Sequence, residues 1–245
     1  MSAARWDEAA YTALELAFAG AERLGLPLAI LAWVCVFFGA VGMASVLSRH
    51  SLRPFLLPSL GVGALALFAH SLDYWVTLRM SPTLAMEANP IWRIVIDSFG
   101  LRLALAYGLS GKLLLSVLSF EFFAYYLVQR ERLYPAGVGG LRSFWGSYGR
   151  TGNGYQAVRG ANLVNFFCFG FALLSPFVAY VALLNSLVND SAYLRLPSMP
   201  VALVAYLGAL AAGYPLVTYR AFRRSRRAPD SCGAAGGAAA ERQVR

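Results

Sequence analysis

The residues able to do chemistry in this chain fall between His70 and Lys112, where ionisable side chains stand inside and beside two long apolar runs. Lys112 is the only lysine among 21 basic residues, and it lies deep within the second run. Asp73 occupies a matching place in the first. A charge near the centre of a bilayer costs roughly 2.5–3.5 kcal/mol even on the lenient insertion scale, so such groups persist when they are paired or used. On a helix, His70, Asp73 and Thr77 recur at i, i+3 and i+7 and share one face. A rise of roughly 1.5 Å per residue puts Asp73 about 10 Å and His70 about 15 Å below a boundary near Met80, and Lys112 about 16 Å below Leu101. The connection between the runs is short, which makes neighbours of the two helices and lets Asp73, His70 and Lys112 meet. The structural outcome would be a buried ion pair that holds helix register. The functional outcome would be a proton or ligand site, with His70 titrating beside Asp73 as relay or general base.

The connection adds two polar residues. Ser81-Pro82 and Asn89-Pro90 each set a capping residue before a proline, so a short helix is expected to start at each. The second, PIWRIVIDSFG, should end at Gly100 and carries Trp92 and Phe99 in the manner of an interfacial segment. Glu87 stands between the two starts, able to dip toward Asp73 or to remain solvated. His70, Asp73, Glu87 and Asn89 include hard oxygen donors for a cation. The chain has no HExxH and no paired-aspartate motif, however, so no metal and no cofactor are expected. Ser71, Ser110 and Ser116 lack the GxSxG or SxxK setting of a nucleophile. Glu121, nine positions beyond Lys112, faces away from it, and pairing with Tyr125 or with an arginine reaching up from the following loop is expected.

Asp73-x-x-x-Thr77, Glu87-x-Asn89-Pro90 and Lys112 together resemble the signature of a widespread group of small uncharacterised prokaryotic membrane proteins. The likeness covers roughly residues 60–130. It implies a three-helix unit presenting these side chains together, and no activity comes with it. His70, the 130–160 loop and the last two apolar runs lie outside the pattern.

The elements that must position these groups are membrane spans. With 58% hydrophobic and 13% charged residues and a mean hydropathy of +0.56, the chain is wrong for a soluble surface, and the bilayer is its solvent. Five runs are long enough to cross, at about 26–47, 55–79, 101–128, 161–188 and 200–221. An all-α polytopic bundle is expected, preceded by an amphipathic surface helix over residues 1–25. In that helix Trp6, Ala10, Leu14, Ala17, Ala21 and Leu24 form one stripe, with Glu8, Glu15 and Glu22 opposite. Asp7 and Glu8 replace the basic start of a signal peptide, and Pro27 should divide this helix from the first span.

Orientation follows from arginine. Arg49, Arg53, Arg130, Arg132, Arg142, Arg150, Arg159, Arg220, Arg223, Arg224, Arg226 and Arg227 fall on one side of the bundle. Only Arg5, Arg23, Arg79, Arg93, Arg102 and Arg195 fall on the other, accompanied by most of the acidic residues. The amino terminus should therefore face outward and the carboxyl terminus the cytoplasm. The loop 130–160 mixes glycine, arginine and aromatics; anionic lipid headgroups suit that mixture better than nucleic acid, and no nucleic-acid partner is expected. The tail 223–245 is basic, then low in complexity, and cannot bury a core. Cys35, Cys168 and Cys232 show no disulfide or zinc spacing. Gly39, Gly42, Gly61, Gly63, Gly208 and Gly213 would let helices approach closely or serve a homo-oligomer or membrane partner. Pro58, Pro176 and Pro215 could kink their spans, with a bend expected near Ser175.

Three functions are compatible with this pattern. The first is an outward-opening polar pocket of His70, Asp73, Thr77, Glu87, Asn89 and Lys112 that binds or moves a proton, cation or small polar ligand. The second is an enzyme acting on a lipid or lipid-linked substrate, with Asp73 or His70 as base and Lys112 steadying negative charge. In the third, the same groups only lock helices in an assembly subunit.

Overall fold

A computed structural model of the chain describes residues 3–84, 90–134, 140–148, 155–187 and 196–227. Among the described residues the fold is all-α. The helices are α1 (Ala3–Leu47), α2 (Leu56–Met80), α3 (Pro90–Arg132), α4 (Leu141–Tyr148), α5 (Tyr155–Ala172), α6 (Ser175–Ser186) and α7 (Met199–Arg227), with one 3-10 turn at Arg53–Phe55. Five stretches are long and apolar enough to cross a bilayer: Leu24–Leu47, Arg53–Met80, Ile91–Arg132, Gly160–Ser186 and Met199–Arg226. This is a multi-pass membrane protein built as a helical bundle; four of its spans lie within about five residues of those expected from hydropathy, while the third starts at Ile91 rather than near 101 because α3 takes in the short helix before Gly100. Leu57, Phe68, Leu163 and Val204 point out of it, more than 60% exposed, as side chains solvated by lipid should.

Glycine, more than proline, sets the breaks. At Gly25 (φ 57°, ψ −146°) α1 turns sharply, dividing the amino-terminal helix from the first span. Pro27 had been expected to make that division. It instead sits where the helix restarts, a position at which a missing N–H costs nothing. The second break falls where it was expected, at Gly100 (φ 78°, ψ 171°), and separates the short helix from Pro90 onward from the long part of α3. Both glycines adopt backbone angles that a side chain would strain. Pro176 opens α6, and the fourth span bends at Leu173 and Leu174, next to Ser175 as expected. Pro58 lies in the first turn of α2, and α7 runs unbroken through Pro215.

Two expected elements differ. No helix begins at Pro82. The Ser81 N–H closes the last turn of α2 on the Thr77 carbonyl (2.9 Å), so Ser81 ends a helix rather than starting one. The Leu84 N–H then turns back to the Ser81 carbonyl (2.8 Å), with Leu84 at φ 56°. The 130–160 loop, for its part, contains α4. Leu141, Phe144, Trp145 and Tyr148 recur at helical spacing, and Phe144, fully buried, docks on Phe222 and Tyr219 of α7 beside Tyr134. The tail beyond Arg227 lies outside the described residues.

Helix α3 is the spine: α1, α2 and α5 pack along it, and α2 also carries α6. Fully buried Ala29, Ala66, Ala69 and Ala104 thin the contacts between these helices. Of the glycines expected to admit close approach, only Gly63 does so, against Phe120; Gly39, Gly42, Gly61, Gly208 and Gly213 face open space. Toward the Arg130 end of α3 the bundle is filled by Tyr126, Leu127, Cys168, Phe169, Leu210 and Tyr214, a core rimmed mostly by partly buried aromatics such as Phe122, Phe123 and Phe166. Toward the Met80 end the packing is lighter and smaller, around Ala29, Val95 and Ala104.

Candidate functional site

Two neighbouring helices bring the expected acid and base together. Asp73 of α2 and Lys112 of α3 form an ion pair and hydrogen bond, each side chain about one-fifth exposed (20% and 19%). They meet because α2 and α3 run antiparallel past each other, with Gly63 against Phe120 and Tyr74 reaching Leu105, so that residues at comparable depth from the Met80 end come within side-chain reach. His70, one turn deeper than Asp73 and half-buried, lies within electrostatic reach of both Asp73 and Lys112. Thr77 follows one turn nearer Met80 on the same face, half-buried, its carbonyl accepting the Ser81 N–H. Glu87 and Asn89 lie outside the described residues.

One wall of the site is aromatic. The short helix before Gly100 swings Trp92 back onto α3, where it is 6% exposed and stacks against Gly108. A methyl group at Gly108 would lie 1.8 Å from the Trp92 ring, so no other residue fits there. The Lys112 ammonium stands 5.7 Å from the Trp92 ring centroid, a cation–π contact. Tyr74 meets Trp92 edge-on at 5.9 Å, and its hydroxyl donates to the Leu105 carbonyl at 3.3 Å. Trp92 is the site residue that the sequence reading assigned to the membrane interface. Its signal was Gly108, four residues before Lys112 and hence on the same face of the helix.

The serines near the site are engaged elsewhere. Ser110 accepts a hydrogen bond from the Trp33 indole (3.0 Å) and donates to the Tyr107 carbonyl (3.0 Å), while Ser116 donates to the Lys112 carbonyl (2.8 Å). Together with the Tyr107 hydroxyl on the Ala29 carbonyl (2.9 Å), the Ser110 contact ties α1 to α3. An apolar groove of about 490 Å³, lined by Ile30, Trp33, Val95, Phe99, Leu103 and their neighbours, opens along this seam. It lies on the opposite side of α3 from Lys112 and includes none of the ion-pair residues. Among the described residues no three His, Cys, Asp or Glu side chains converge as metal ligands. No known protein family, curated protein or solved structure matches the chain.

Chemically, the pair is a neutral unit made of two strong, opposite binding groups. An arriving cation competes with Lys112 for Asp73, and an arriving anion competes with Asp73 for Lys112. A proton delivered to the carboxylate releases the ammonium onto the Trp92 face. Each arrival changes the net charge of the site by one unit, so inside a bilayer it needs a compensating ion or proton to move with it.

Glu121 is different. It is 6% exposed, its Oε2 has no hydrogen-bond partner, and it takes part in no ion pair among the described residues. Among the described residues it pairs with neither Tyr125 nor Arg130, Arg132 or Arg142; Arg150 and the Arg159 side chain lie outside them. Tyr125 packs with the aromatic core, and the Arg130 guanidinium lies over the Tyr126 ring at 5.5 Å.

Proposed function

We propose that the Asp73–Lys112 pair, with His70 behind it and Trp92 over it, is an exchangeable site through which this membrane protein binds or moves a proton, a cation or a small polar ligand. One observation carries the reading: the chain's sole lysine, placed where a lone ammonium is costly, meets an aspartate on the next span while a fifth of each side chain remains accessible. The excess of arginine at the Arg130 end supports a cytoplasmic place for that end and an outward-facing site. The resemblance of Asp73, Thr77, Glu87, Asn89 and Lys112 to a shared signature supports treating them as one unit.

The test is reconstitution of the purified protein in liposomes loaded with a pH-sensitive dye, with a proton or sodium gradient imposed. Lys112→Met should abolish the gradient-dependent signal while the protein elutes and melts as a folded species. A signal equal to that of the unaltered protein would remove the pair from the transport path.

The closed geometry of the pair also suits a purely structural lock. Exchanging the partners separates the two readings. In the double variant Asp73→Lys/Lys112→Asp, a lock recovers both abundance and function, whereas a site that reads the position of each group recovers abundance alone.

A further inference from the structure

We propose that Glu121 is a second and separate proton-binding site, a buried carboxylic acid in the Arg130-end half of the bundle on the opposite side of α3 from Lys112. Nine residues separate the two, about 14 Å along the axis and two and a half turns around it. Eleven residues separate Glu121 from Ser110, close to three whole turns, so Glu121 continues the stripe through which Tyr107 and Ser110 meet α1.

That neighbour offers it no counter-ion. From Leu24 to Leu47, α1 has no charged side chain, and Cys35 is its only ionisable one; Arg49, past its end, is exposed, and His50 follows in the turn. The ionisable groups of α2 are His70, Asp73, Tyr74 and Arg79, all toward the Met80 end, and Arg53 of the preceding turn is exposed. In α5, Cys168 is turned into the aromatic core, while the side chains of Tyr155 and Arg159 lie outside the described residues; in α7, Tyr206 and Tyr214 join that core and Tyr219 docks Phe144, with Arg220 beyond. On α3 itself, Tyr125 and Tyr126 belong to the aromatic core, and Arg130, nine residues on, has returned to the Lys112 side.

A carboxylate enclosed in this way would hold an uncompensated charge. The carboxylic acid is neutral, so the enclosure selects the protonated form. Releasing the proton requires water or a cation to enter between α3 and its neighbours. The two stations on α3 thus answer to different events: displacement within a pair for Asp73 and Lys112, and opening of the packing for Glu121. The inference does not depend on the outer pair being a transport site.

Infrared titration of the full chain in lipid nanodiscs tests it. At neutral pH the protein should show a protonated-carboxyl C=O stretch that fades at high pH, is missing from Glu121→Gln and survives in Asp73→Asn. Identical neutral-pH spectra for the unaltered protein and Glu121→Gln would overturn the proposal. Should Glu121→Gln fail to fold, dicyclohexylcarbodiimide, which adds to protonated carboxyls in apolar surroundings, decides the matter on the unaltered chain. Mass spectrometry should place the adduct on Glu121 at neutral pH, with labelling falling as pH rises. No adduct there, or protection set by sodium at constant pH rather than by protons, would defeat it. Loss of the liposome signal in Lys112→Met with an intact Glu121 band, or the reverse, tells failure of one site from failure of the other.

Discussion

At the Met80 end of α3, Lys112 meets a carboxylate and the face of Trp92; at the Arg130 end of the same helix, Glu121 has no ion pair and its Oε2 no hydrogen-bond donor among the described residues. The ion pair is walled by Trp92 and Tyr74, whereas Glu121 lies on the stripe of α3 that continues from Tyr107 and Ser110 toward α1. A charge can be kept in a bilayer either by bringing it a partner or by removing it with a proton. The antiparallel run of α2 along α3 brings Lys112 an acid, the first solution, while the uncharged first span favours the second for Glu121.

Breaking one member of the pair should have the largest effect. Asp73→Asn or Lys112→Met leaves a buried charge alone and should cost about 3–5 kcal/mol, seen as a large drop in melting temperature in one detergent. Replacing both partners together, as Asp73→Leu/Lys112→Met, should recover most of that loss. If the double variant melts no higher than the singles, the pair is not an isolated unit.

Next in size is the aromatic wall. Gly108→Val drives a side chain into the Trp92 ring and should cost about 1–3 kcal/mol as overpacking. Gly42→Ala, facing open space, should be neutral or slightly stabilising. Equal melting of the two variants would mean that Trp92 does not rest on α3. A smaller loss, about 1 kcal/mol, is expected for Tyr126→Phe, which removes the 3.2 Å hydroxyl contact with Thr218 between α3 and α7.

Smallest of all should be Glu121→Gln, about 1 kcal/mol or less, because a neutral amide replaces a neutral acid of the same shape. The contrast with Asp73→Asn sharpens the comparison: the same chemical change is severe where the charge is paired and mild where it is already absent. A loss of several kcal/mol in Glu121→Gln would show that the carboxylate is ionised and held by a partner.

Much of this was open to reading before any coordinates. Spans follow from runs of about twenty apolar residues, since only a helix satisfies its own backbone in hydrocarbon. Asp73 and Lys112 stood out because hydrocarbon penalises lone charges, and depths within about 6 Å of each other on consecutive spans put them within side-chain reach. Trp92 was misassigned because an interfacial tryptophan and one folded back over a glycine carry the same local signal. Glu121 was expected to find a partner, and whether one arrives depends on which helix faces it. Pro82 and Pro27 misled for a related reason: proline permits a helix start, but the backbone hydrogen bonds of the preceding turn decide where one helix stops.

The chain's own composition and periodicity determined the membrane, the five crossings and the acid and base that belong together, because these depend on each segment's free energy of transfer and on depth along a helix. Tertiary structure alone decided that Trp92 covers the lysine, that α4 docks on α7 and that Glu121 stands without a counter-ion among the described residues. Those outcomes depend on which faces of separate helices meet, and no single segment contains that information.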